Sequence, residues 1–153
     1  MPTTAETSPP CAPRRVDQLL AHYAESHRNP TNEAIHLVAI PLIMLSLVGM
    51  LFALHSYAAY AFVAASLVYY ARLSAVFFVA MLLWSAMSFL LCFALGNALL
   101  PVSLAVFVGA WVLQFIGHRL GGKKPSFFED MQYLWVGPLF VLSRLLAKAG
   151  VSW

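Results

Sequence analysis

Two short polar stretches bracket the apolar middle of this chain: His27-Arg28-Asn29-Pro30-Thr31-Asn32-Glu33-Ala34-Ile35-His36, and Trp111-Val112-Leu113-Gln114-Phe115-Ile116-Gly117-His118. Between His36 and His118 the only charged residue is Arg72. Imidazole is the commonest metal-binding side chain, and ionisable groups next to a long apolar run are costly enough to be functional by default. The two stretches therefore read as halves of one metal site, closed when the apolar segments fold back on themselves. The bland alternative is that each histidine hydrogen-bonds to lipid headgroups or to a neighbouring carbonyl.

No short-spaced motif such as His-Glu-x-x-His is present, so spacing alone is a weak signal of a metal. An iron site of two histidines and one carboxylate would draw on Glu25, Glu33, Glu129 or Asp130. Glu33 lies three residues before His36, where a first-turn acid is already favoured by the helix dipole. Asn32 lies four residues before His36, and Trp111, Gln114 and His118 are separated by three and four. At helical spacing each set shares one face. Asn32 and Gln114 therefore read as side chains that orient the histidines, with helix-to-helix hydrogen bonding as the alternative. Tyr23, a turn before His27, joins them as a supporting group. There is no glycine-rich phosphate loop and no Ser–His–acid arrangement.

The elements that must position these groups follow from composition. Of 153 residues, 61% are hydrophobic and 10% charged, against about 25% charged in soluble domains. An all-α, integral membrane helical bundle is expected, built as a single domain over residues 14–150. The net charge of +3 comes from nine Lys/Arg against six Asp/Glu. It is too small and scattered for a nucleic-acid surface and suits loops beside lipid. Cys11 and Cys92 are not expected to meet.

Residues 1–13 read as a disordered tail. Val16, Leu19, Leu20, Tyr23 and His27 then form one face of an amphipathic helix at the membrane surface. Asn29-Pro30 marks a helix start. The expected spans are Ile35 to Leu54, with Pro41 loosening it, then Tyr57 to Ala71, Ser74 to Leu95 and Ala98 to Gly117. Ala61-x-x-x-Ala65 is spaced to let another helix approach closely. Leu134 to Leu146, broken by Gly137-Pro138 and Arg144, reads as an interfacial or partly inserted helix. Four crossings put Arg14, Arg15, Arg28, Arg72, Arg119, Lys123 and Lys124 on one face, cytoplasmic by the positive-inside rule, with both termini. His22, His27, His36 and His118 fall on that face too, and His55 falls opposite.

Tyr23-x-x-x-His27-x-Asn29-Pro30-x-Asn32-x-x-Ile35-His36-x-x-x-x-Pro41 resembles the N-terminal signature of the fungal 2-hydroxy-fatty-acid dioxygenase family and its bacterial relatives. Trp111-x-x-Gln114-Phe115-Ile116-Gly117-His118, followed by Lys123-Lys124-Pro125 and Gly137-Pro138, resembles its second signature. The resemblance runs from about Leu19 to Leu146. It implies a multi-span enzyme of the bacterial inner membrane or endoplasmic reticulum that uses Fe(II) and O2 to shorten a long-chain 2-hydroxy fatty acid by one carbon. By the same resemblance His27, His36 and His118 are iron ligands, with His22 a candidate fourth. Chelation of the metal through carboxylate and hydroxyl would place C1 and C2 beside O2. Lys123, Lys124 or Arg119 would draw the carboxylate in, if they do not simply contact anionic lipid. One departure stands out: family members often carry a Glu shortly after the second-signature histidine, and here Gly121-Gly122 occupies that stretch. The competing reading is a non-catalytic membrane protein that binds lipid or haem through the same histidines.

Overall fold

The structure, a computed structural model, describes residues 13–26, 29–121 and 133–153. Most of the expected N-terminal tail lies outside them. Among the described residues all regular structure is helical: α1 (Arg15–Ser26), α2 (Pro30–Leu54), α3 (Ser56–Ala71), α4 (Ala75–Leu95), a 3-10 turn at Gly96–Ala98, α5 (Leu99–Leu120) and α6 (Val136–Lys148).

The helix boundaries have local causes. The Asn29 side-chain oxygen accepts from the amides of Thr31 (2.9 Å) and Asn32 (3.2 Å). Pro30, at the first helical position, has no amide to leave unpaired. α2 continues through Pro41 to Leu54, although Pro41 cannot donate to the preceding turn. His55, in extended conformation, ends α2 and precedes α3. Gly96 divides α4 from α5 at φ 49°, a conformation that L side chains rarely adopt.

Pro30–Leu54 and Ala75–Leu120 are long and apolar enough to cross a membrane. α3, with 16 residues, extends about 24 Å at 1.5 Å per residue. Val68, Leu83, Leu90, Val108, Val112 and Ile116 point outward from α3, α4 and α5. Exposed apolar faces of this extent suit a lipid surrounding.

The tightest helix pair is α2 with α5. A Cβ added at Gly49 would come within 2.2 Å of Ser103 Oγ, and one at Gly117 within 2.6 Å of Asn32 Oδ1. Since 49 pairs with 103 and 32 with 117, the two helices run antiparallel. Close approach is therefore made by glycines here and not by Ala61 and Ala65, which are both exposed. α3 instead buries Ala59, Val63, Ser66 and Tyr70. Alanine spacing permits contact without compelling it, and burying Val63 and Tyr70 removes more apolar surface from solvent.

Two ends of the bundle are distinct. At one end Val16, Tyr70, Phe77, Met81 and Leu139 cluster, tying α1, the α3–α4 turn and α6 together. The Tyr70 hydroxyl donates to the Trp135 carbonyl (3.1 Å), and the Trp135 indole donates to Ser66 Oγ (2.9 Å). At the other end Phe52 and Ala53, closing α2, meet Gly96, Asn97 and Leu99 around a cavity of about 370 Å3.

α6 is held to α2 by an ion pair, Arg144 Nε to Glu33 Oε1 at 2.8 Å, and the guanidinium lies 5.0 Å from the Phe140 ring centroid. Both side chains are partly exposed. Arg144→Ala should therefore lower stability by only about 0.5–1 kcal/mol. Thermal unfolding of the purified protein in detergent measures this, and a loss several times larger would mean the pair is more deeply desolvated than its exposure indicates.

A candidate histidine centre between the first and fourth apolar helices

His36 lies in the second turn of α2 and His118 in the last turn of α5, so the antiparallel pairing of these helices brings the two together. Their ring centroids are 4.8 Å apart and nearly perpendicular, and the residues are 0% and 6% exposed. His36 Nδ1 lies 2.9 Å from the main-chain carbonyl oxygen of Asn32. A carbonyl only accepts, so Nδ1 carries the hydrogen. In the neutral ring the lone pair is then on Nε2, the nitrogen through which such an imidazole would bind a metal. A histidine whose other nitrogen donates to a carbonyl is the usual arrangement at metal centres.

The helices can meet here because α5 presents glycine. Gly117 faces Asn32, Ile35 and His36: a Cβ there would stand 2.6 Å from Asn32 Oδ1 and 3.5 Å from His36 Cε1. Gly121, one turn on, faces the Asn32 amide nitrogen. Gly121 thus has a packing role, and Gly122 lies outside the described residues. Asn29 Nδ2 donates to the Leu120 carbonyl (3.4 Å), joining the start of α2 to the end of α5.

Asn32 and Gln114 are 1% and 4% exposed. Asn32 orients His36 through its main chain, while its side-chain oxygen rests against Gly117. Gln114, one turn before His118, lines a cavity of about 30 Å3 together with Tyr23, Ile40, Met44, Trp111 and Tyr133. Tyr23 is buried, with its ring centroid 5.6 Å from Tyr133 and 5.0 Å from Phe140. Among the described residues, neither Asn32 Oδ1 nor Gln114 Oε1 has a hydrogen-bond partner.

The remaining candidates lie elsewhere. His22 is exposed on α1, with Nε2 3.0 Å from the Tyr133 hydroxyl and Nδ1 3.8 Å from Glu25. The contact pins Tyr133 at the cavity wall. Arg119 is exposed beside His118. His55 caps the opposite end of α2, 19 residues from His36, or about 28 Å along the helix. Glu33 is engaged by Arg144. His27, Lys123, Lys124, Glu129 and Asp130 lie outside the described residues. Sequence reasoning assigned no role to Gly117, although its place directly before His118 and four residues before Gly121 is the spacing that allows close helix packing. Tyr133 and Arg144 carry no signal of comparable strength.

Among the described residues no three His, Cys, Asp or Glu side chains gather as a metal site. The donor set that does gather, two buried imidazoles with amide oxygens nearby, is chemically suited to a divalent first-row metal such as Fe(II). It is less suited to haem, because rings 4.8 Å apart and edge to face leave no room for a porphyrin between them.

The geometry defines a class: an all-helical protein in which the two longest apolar helices each bring one buried histidine to a shared end. A family model described as 2-hydroxy-palmitic acid dioxygenase Mpo1-like matches residues 14–149. The chain belongs to the Mpo1-like family. No curated protein and no solved structure matches it.

Proposed function

We propose that this protein is a multi-span membrane dioxygenase that uses Fe(II) and O2 to remove one carbon from a long-chain 2-hydroxy fatty acid. The observation that carries the proposal is the buried His36–His118 pair, formed across α2 and α5 with the His36 tautomer set for metal binding. Membership of a family described by 2-hydroxy-palmitic acid dioxygenase activity supports the same substrate class. In this reading His36, His118 and His27 hold the iron, and His22 holds Tyr133. His27, outside the described residues, enters on the resemblance of the N-terminal signature alone.

Bound Fe(II) would supply coordination of the 2-hydroxy acid and activation of O2. The protein's own groups do the rest. His36 is held in one tautomer by the Asn32 carbonyl, so it is ready without reorganisation. Burial of His36 and His118 between α2 and α5 keeps bulk water from the histidines. Arg119, with Lys123 and Lys124, draws the carboxylate toward the cytoplasmic mouth. The tail has an apolar route: the cavity beside Gln114 shares Ile40 and Met44 with a second cavity of about 70 Å3, walled by Pro41, Trp84, Leu142 and Leu145. The reaction balances with one O2 when C2 becomes the carboxyl of the shortened acid, C1 leaves as carbon dioxide and water forms.

Four membrane crossings agree with the antiparallel course of α2 and α5 and with the neighbouring of α2 with α3 and α3 with α4. They put Arg14, Arg15, Arg72 and Arg119 at the histidine end, cytoplasmic by charge.

The deciding experiment supplies the iron-loaded protein with 2-hydroxypalmitate and, separately, with palmitate. O2 uptake and a C15 acid are expected from the first alone. Iron retention without O2 uptake on any 2-hydroxy acid would replace the enzyme with a binding or storage protein.

A further inference from the structure

We infer that Gln114 is a specificity-determining residue that accepts a hydrogen bond from the 2-hydroxyl group of the substrate; the inference rests on the substrate class proposed above. Gln114 is 4% exposed, and its Oε1 has no partner among the described residues. A buried acceptor left unmatched costs about 1–3 kcal/mol, so the site is built to receive a donor. Oε1 belongs to a side chain lining a cavity of about 30 Å3, room for roughly one water-sized group. Ile40, Ile43, Met44 and Trp111 make that cavity largely apolar, and the Tyr133 hydroxyl beside it is engaged with His22.

The chemistry of the ligand follows from the missing donor. A fatty acid ionised at its carboxylate offers acceptors only, and so does a 2-oxo acid. A 2-hydroxy acid carries one donor, on the carbon next to the carboxylate. Gln114 sits one helical turn from His118 on the same face of α5. A carboxylate held at the histidine end therefore brings its 2-hydroxyl to the glutamine and sends its tail past Ile40 and Met44. A site that hydrogen-bonds a substrate hydroxyl rejects analogues without it far better than an apolar pocket does, because rejection leaves its own polar group unpaired.

Equilibrium binding to the iron-free protein in detergent tests this without turnover. The probes are radiolabelled 2-hydroxypalmitate, 2-oxopalmitate and palmitate. Wild type should prefer the 2-hydroxy acid by roughly 10- to 100-fold over both others. Gln114→Met, close in size and without the amide, should bind all three alike, at the palmitate level. Retained preference in Gln114→Met overturns the inference. Should that variant lose its helical circular dichroism, the wild-type comparison decides: 2-oxopalmitate binding as tightly as 2-hydroxypalmitate overturns it. A Gln114-dependent preference without O2 uptake would sink the dioxygenase reading and leave this inference standing. O2 uptake with the preference intact in Gln114→Met would do the reverse.

Discussion

His118→Ala should abolish O2 uptake with 2-hydroxypalmitate and lower iron retention by roughly 100-fold or more, beyond the 10–100-fold typical of losing a group behind a ligand. The reason is positional. His118 is the only described histidine on α5, and it closes the centre from the far end of the chain against His36. Without it the proposed N-terminal ligands would hold the metal from one side only. The fold should survive, because the α2–α5 contact extends from Asn32 and Gly117 to Gly49 and Ser103. Metal analysis and circular dichroism on the same preparation separate the two effects. Full iron content in the variant would remove His118 from the centre. His55→Ala is the matched control: it sits at the opposite end of α2 and should leave both readings at wild-type values.

The second large effect requires no change to a ligand. Gly117→Val should cut turnover by roughly 100-fold, the scale set by about 1 Å of misplacement in a reacting site. It should also cost about 1–3 kcal/mol through overpacking. The added Cβ begins 2.6 Å from Asn32 Oδ1 and 3.2 Å from Ile35 Cγ2, so the Asn32 side chain must move or α5 must retreat. The methyls beyond it crowd His36, already 3.5 Å from that Cβ. Gly109 on the same helix has no atom within 4 Å of an added Cβ. Gly109→Ala should accordingly leave activity and thermal midpoint unchanged. Equal loss in both variants would mean that glycine matters to α5 for reasons other than its approach to α2.

Much of this protein was legible in residue order. The apolar runs marked the helices to within a few residues, because Asn29-Pro30, His55-Ser56, Arg72 and Gly96-Asn97 each interrupt hydrophobicity with groups that cap or turn a chain. Helical spacing placed Asn32 with His36 and Gln114 with His118, since periodicity alone decides which side chains share a face. The two signatures were also enough for the family to be recognised.

Which faces meet was another matter. Ala61 and Ala65 had the spacing for close approach and were left exposed, while Gly49 and Gly117 took that role. Small residues only remove an obstacle; the choice among permissive faces belongs to the summed packing of all the helices. The same holds at the centre. Sequence could say that Asn32 stands near His36, but the fold decided that its main-chain carbonyl receives the imidazole hydrogen. Sequence could place Gln114 on the face of His118, but only the fold shows that it lines a cavity, its carbonyl oxygen unmatched among the described residues. His22 sits beside Tyr133, 111 residues away in the chain. Spacing along one helix is a local property and can be read from the order of residues. A contact between helices depends on their rotation and separation, which are settled only when every buried side chain has found room.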